Sequence, residues 1–220
     1  MELNLWLGKF YEFLDRPLFG WSRIAIALST GLLICAFYWP LWRISMEAPQ
    51  YPHGLSMDVW AYDLIGGHDG RDITEINTLN HYIGMHRIER SEFADLDWLP
   101  FAFGILGILA LRLAAIGNIR SLIDMGVITF YVLAFAAARF VYKLYMYGHD
   151  LDPRAPFTVE PFTPVIVGTK QVANFTTHSY PQVGTFAVAL FGLIIAIIVL
   201  THLVVGRRKA SRALHQSENT

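Results

Sequence analysis

The residues with most chemistry to offer gather in one short run, Leu79 to His86 (LNHYIGMH). It holds two histidines and a methionine within six positions, close to Asn77, Asn80 and Tyr82. Imidazole and thioether groups with no thiolate beside them suit copper, Cu(I) above all, better than iron–sulfur clusters or structural zinc. The run therefore reads as a copper-type metal site or a docking surface. The chain has eight histidines, and six of them (His53, His68, His81, His86, His149 and His178) fall in two polar segments, 43–98 and 148–183. Met46, Met57 and Met85 share the first segment, and Met146 lies close to the second. His81 and Met85 read as the primary ligands, with His86 beside them. His149 and His178 can complete a site if the two segments meet. His53 and His68 stand next to glycines and read as solvated. No HExxH, Walker-type or CxxCH run is present, and serine and histidine occur without a nucleophile elbow. A hydrolase or a covalently attached haem has no support.

These groups need elements to hold them, and composition says which solvent the elements meet. Of 220 residues, 54% are hydrophobic and 16% charged, against about 45–50% and about 25% in soluble domains. A net charge of −1 gives no sign of nucleic-acid binding. Four segments match the roughly 20 apolar residues that cross a lipid bilayer: 22–42, 99–117, 122–147 and 184–205. The expected class is an all-α membrane protein of four transmembrane helices, with two extracytoplasmic loops folded into a small cap. Before the first span, in residues 1–21, Leu3, Trp6, Leu7, Phe10, Phe13 and Leu14 recur at helical spacing. They predict an interfacial helix that Pro17 ends. The aromatic end of the first span (FYWPLW) and the lack of a small-x-small site mark it as retained, not cleaved. Cys35, the single cysteine, excludes an internal disulfide or a CxxC motif.

Sidedness follows from lysine and arginine. Lys9 and Arg16 precede the first span and Arg23 lies at its start, Arg112 and Arg120 belong to the short second connection, and Arg207, Arg208, Lys209 and Arg212 lie in the tail, 206–220. Both termini are expected in the cytoplasm of a bacterial cell, and both long loops in the periplasm, where a thiolate would be at risk of oxidation. The first loop is acidic, through Asp58, Asp63, Asp69, Asp72, Glu75, Asp95 and Asp97. Within it, Pro49, Pro52 and Gly54 keep the chain extended, and the alternation from Leu55 to Ile65 suits a short strand. Thr74 or Asp72 can cap a helix running to about Ile83, with Gly84 as its stop. That helix would carry Asn77, His81 and Met85 on one face. Pro153, Pro156, Pro161, Pro164 and Pro181 leave the second loop little regular structure. Arg139, towards the outer end of the third span, either snorkels or meets an acidic partner.

Four consecutive blocks, EAPQYPHGLSM, INTLNHYIGM, YGHDLDPRAPF and VGTKQVANFTTHSYP, carry a family resemblance over residues 38–182. They resemble small four-span membrane proteins encoded beside nitrous oxide reductase and its copper-maturation genes. The resemblance implies a setting, the assembly or support of a copper enzyme, more than a mechanism. By position it singles out Asn80, His81, Met85, His149, Asp152, Pro153, Lys170, Asn174 and Ser179. His86 stands where that pattern has lysine. The resulting expectation is a non-catalytic accessory factor in the inner membrane that binds or presents copper to a periplasmic or membrane copper enzyme. The alternative is a structural subunit or membrane anchor of a larger copper-enzyme complex. A quinol-linked electron donor would need a haem or other redox centre, and His202 is the lone histidine within the spans.

Overall fold

The computed structural model describes residues 2–172 and 175–206. Asn174 and the basic tail residues Arg207, Arg208, Lys209 and Arg212 lie outside the described residues. In chain order the elements are α1 (Glu2–Leu14), α2 (Gly20–Tyr38), β1 (Trp42–Ala48), β2 (Tyr51–Val59), β3 (Leu64–Gly66) and α3 (Arg71–Tyr82). There follow α4 (Asp95–Ile116), α5 (Ile119–His149), β4 (Gly168–Val172), β5 (Phe175–Pro181) and α6 (Val183–Thr201), which runs on as a π-helical turn at His202–Gly206. Four helices, α2, α4, α5 and α6, are long and apolar enough to cross a membrane, so this is a multi-pass membrane protein.

The chain divides into two compact units. The first comprises Met1–Leu33, Phe103–Leu133 and Ala189–Thr220. Its core is Ile26, Leu106, Leu122, Phe191, Ile195 and Ile198, all buried. The outward faces are just as apolar: Ile24, Leu28, Ile108 and Phe130 are all at least 64% exposed. Water would penalise so much bare hydrocarbon, whereas lipid does not. Close helix packing depends on glycine, since a Cβ on Gly192 of α6 would come within 2.7 Å of Leu133 on α5. Helix ends are satisfied locally. Arg23 donates to the terminal carbonyls of α4 at Ala114 and Ala115, and Asn118 Oδ1 accepts the Ser121 amide at 3.0 Å, capping α5.

The second unit, Ile34–Ala102 with Ala134–Val188, corrects the all-α expectation. It contains a five-stranded antiparallel sheet in the order β3-β2-β1-β5-β4. Trp42, which the sequence assigns to the end of the first span, instead opens β1. An apolar, aromatic stretch suits a helix end and a half-buried strand equally, so local composition does not separate them. The prolines of the second polar segment leave room for strands after all. Pro153, Pro156, Pro161 and Pro164 precede β4, and Pro181 is the last residue of β5, so none interrupts a ladder from within. Pro52 sits in β2 beside the irregularity between Met46 and Ala48 on β1, where a missing amide costs little.

Alternation along the strands divides the sheet into two faces. On one, Ile44, Leu55, Met57, Val59 and Leu64 form a core with Ile73, Ile76 and Leu79 of α3 and with Ile88 beyond it. On the other, paired positions place Arg43 opposite Asp58, Ser45 opposite Ser56 and His178, and His178 opposite Thr169. The expected alternation from Leu55 is present, split between β2 and β3 by a turn in which the Trp60 amide donates to Asp63 O at 2.8 Å. In the same unit Arg139 does not snorkel alone. It forms a two-pronged pair with Asp95, at 2.9 and 3.0 Å.

Candidate functional site

The motif Leu79–His86 is the end of α3 and the turn that leaves it. Gly84 has φ +77, its amide donates to His81 O, and the Met85 amide donates back to Asn80 O at 2.9 Å. This is a Schellman closure, and it needs a residue that tolerates the left-handed region. The helix therefore stops at Tyr82, and Met85 lies past it, off the helical face it was expected to share with Asn77 and His81. A second demand falls on Gly84. An added Cβ would come within 2.7 Å of Asp152 O, and the Asp152 amide donates to Gly84 O at 2.8 Å. The LNHYIGM and LDPRAP blocks are thus held backbone to backbone.

Two asparagines hold the chain after the turn. Asn77, buried, receives the Ile88 amide at 2.6 Å and donates to Ile88 O at 3.0 Å. Asn80, also buried, donates to His86 O. Tyr147 donates its hydroxyl to Arg87 O at 3.0 Å. Asn77, Asn80 and Gly84 are therefore occupied by folding, and His81 and Met85 are left over.

His81, Met85 and His86 line one open groove of about 500 Å³ with Gly84, Asp150, Asp152 and Arg154. Among the described residues His81 has no hydrogen-bond partner, while the His86 Nε2–H donates to Asp150 Oδ2 at 3.0 Å. Asp152 receives the Arg154 amide at 2.9 Å. That bond, then the Arg154 side chain, holds the Asp152 carboxyl below its ordinary range.

The remaining expected ligands are elsewhere. His149 caps its own helix: Nδ1 donates to Tyr145 O at 2.9 Å and the ring stacks on Tyr145 at 3.8 Å. His178 lies on the polar face of the sheet, opposite the face that packs against α3. Its Nδ1 meets Thr169 Oγ1 at 2.7 Å, and Nε2 is 3.8 Å from Glu47. Neither lines the groove. Of the other positions marked by the resemblance, Ser179 is fully buried, bridging Trp42 Nε1 and Ile166 O at 2.8 Å each. Lys170 donates to Thr163 O at 2.9 Å.

Among the described residues, no three His, Cys, Asp or Glu side chains are grouped to hold a metal ion. The groove's candidate donor set depends on a thioether as well as imidazole. Asp150 is the groove residue that sequence reasoning passed over. Its neighbour His149 drew notice as a metal-binding type, yet the chain leaves α5 so that Asp150 and not His149 reaches the groove. On sequence grounds Thr74 or Asp72 caps the helix. The N-cap position is instead Gly70, without a side-chain bond, and the Asp72 carboxylate turns back to accept the Ser56 amide and the His68 ring, both at 2.8 Å. His202 is no axial ligand in waiting. It is 1% exposed, its Nδ1 donates to Ile198 O and its Nε2 accepts the Phe19 amide.

Comparison of the chain with known protein families, curated proteins and solved structures finds no match.

Proposed function

We propose that this multi-pass protein is an inner-membrane accessory factor that binds or presents copper on the periplasmic side for a copper enzyme of the nitrous oxide reductase type. The observation that carries the reading is the groove: His81, Met85 and His86 line it together, and among the described residues no hydrogen bond ties up the His81 ring or the Met85 thioether. Imidazole and thioether are the donors that favour Cu(I), and a site open to solvent allows the ion to pass to a stronger one. His86, tied to Asp150, ranks below His81 and Met85 as a ligand. His149 and His178 drop out of the ligand set. The acidic character of residues 43–98 and the arginines at the opposite helix ends support a cytoplasmic position for both termini, with α1 lying along the membrane surface.

A second reading, a structural subunit or anchor of a copper-enzyme complex, draws on a specific observation. The most distinctive block spends Asn80 on closing its own turn and Gly84 on joining two segments of the chain, which are requirements of folding rather than of metal. Metal content separates the two readings. Protein purified in mild detergent from copper-replete cells should carry about one copper per chain, lost in His81→Ala/Met85→Ala. No copper in either protein, with a stoichiometric partner retained by both, rejects copper binding and leaves the subunit.

A further inference from the structure

At the opposite end of α3 stands a histidine with a different environment. His68 donates Nδ1–H to Asp72 Oδ1 at 2.8 Å, and the two side chains are 56% and 3% exposed respectively. The buried carboxylate cannot drift, because Asp72 Oδ2 also accepts the Ser56 amide at 2.8 Å. Gly67 lets the strand pass this close, since a Cβ there would meet Asp72 Oδ2 at 2.5 Å. With the Nδ1 proton directed at a fixed carboxylate, the neutral imidazole is set in one tautomer and one orientation, and among the described residues its Nε2 lone pair meets no hydrogen-bond donor. That is how proteins prepare a metal-ligating histidine.

The turn itself argues against a purely structural role. His68 and Asp69 take φ 48 and 60, followed by Gly70 at 87. Left-handed backbone is unfavourable for a histidine, and glycine or asparagine would fill position 68 at less cost. The hydrogen bond from a half-exposed neutral imidazole offsets only part of that cost. Among the other imidazoles of this unit, His86 faces an Asp150 that is itself 61% exposed, His178 faces a hydroxyl, and His149 donates to a backbone carbonyl, an uncharged acceptor, where His68 has a buried carboxylate held by a second bond.

We infer that His68 is a separate metal-ligating imidazole on this unit, suited to a divalent borderline ion, Cu(II) in the first place, with Asp72 as its positioning residue. No thioether or thiolate takes part, so the preference is for the divalent ion, in contrast to the His/Met groove. One protein nitrogen leaves most coordination positions to water and to donors brought by another molecule, as an exchange point requires. The inference does not depend on the groove binding copper.

The test uses the full chain in detergent, titrated with copper(II) sulfate and read by EPR, on wild type, His68→Ala, His53→Ala and His81→Ala/Met85→Ala. His53 is an exposed histidine on β2 and serves as the control. The tightest Cu(II) equivalent should show a single imidazole nitrogen, vanish in His68→Ala, and persist in His53→Ala and in the groove variant. Asp72→Asn should weaken it by about 10–100-fold, and 15N NMR of the wild type should report the Nδ1–H tautomer at His68. The His68 side chain is exposed, so His68→Ala leaves the core untouched and decides the matter even if Asp72→Asn does not fold. Cu(II) binding unchanged in His68→Ala, weakened equally by His53→Ala, or absent at micromolar copper would each overturn the inference.

Discussion

The two ends of α3 solve the same problem in opposite ways. Each turn enters the left-handed region, at Gly84 after the helix and at His68, Asp69 and Gly70 before it. After the helix, glycine takes the unusual dihedral, asparagines make the side-chain bonds, and the His81 and Met85 side chains carry no hydrogen bond among the described residues. Before the helix, a histidine sits on the unfavourable backbone and is itself tied to a buried carboxylate. A free donor can rearrange around an incoming soft ion. A fixed donor offers one lone pair in one direction. The same residue type thus acquires two characters from what its second nitrogen meets.

This contrast can be broken or sharpened by substitution, with stability measured by denaturant unfolding in detergent. The largest effect is expected at Gly84→Ala, which forces a positive φ on alanine and drives a methyl group towards Asp152 O. A loss of roughly 2–4 kcal/mol follows, and an unaffected midpoint would mean the two blocks are not joined at this point. Asn77→Ala comes next, at about 2 kcal/mol, because the Ile88 amide and carbonyl both lose their partner. Asn77→Asp should recover only part, since a carboxylate can accept from the amide but cannot donate to the carbonyl.

Tyr51→Phe, beside the middle of α3, should cost about 1 kcal/mol, through loss of the 2.6 Å bond from the Tyr51 hydroxyl to Glu75. That bond raises the Tyr51 phenol above its ordinary 10.0, with burial and the Glu75 charge adding to it. A raised folded-state value means the contribution is complete below about pH 10 and fades as pH climbs through the raised value. The gap between wild type and Tyr51→Phe should close in that alkaline range and stay constant at neutral pH. A gap that stayed constant through that alkaline range would mean that the bond does not depend on the Tyr51 proton. The smallest effect belongs to His68→Gly. Relief of the left-handed backbone and loss of one hydrogen bond to the Asp72 carboxylate, which keeps the Ser56 amide, should offset one another to within about 1 kcal/mol. A large destabilisation there would make the His68–Asp72 pair a structural staple after all.

Much of the helical framework was legible from the chain because it rests on local quantities. A run of some twenty apolar residues declares a lipid-facing helix whatever lies around it, and α2, α4, α5 and α6 appear where such runs occur. Gly84 as a helix stop was equally readable, since the left-handed dihedral is a property of the residue itself. The sheet was not. β1 pairs with β5 across most of the chain, and nothing in WRISMEA or FTTHSYP announces the partner or the register.

Donor types were likewise written in the sequence, and their roles were not. His81 and Met85 were expected to act together, and the turn at Gly84 does bring both to one groove, although it takes Met85 off the helix. His178 was expected with them. Strand parity puts it on the opposite face, because a side chain's direction alternates residue by residue once the register is set. His68 was read as solvated from its glycine neighbours, yet Asp72 reaches it only because α3 begins at Arg71 and folds its first turn back onto β2. Composition and periodicity determined the solvent, the four long helices and the stock of imidazole and thioether donors. Tertiary structure alone decided which donor meets a carboxylate, which meets a carbonyl and which meets nothing, because those contacts join residues far apart in the chain and depend on register.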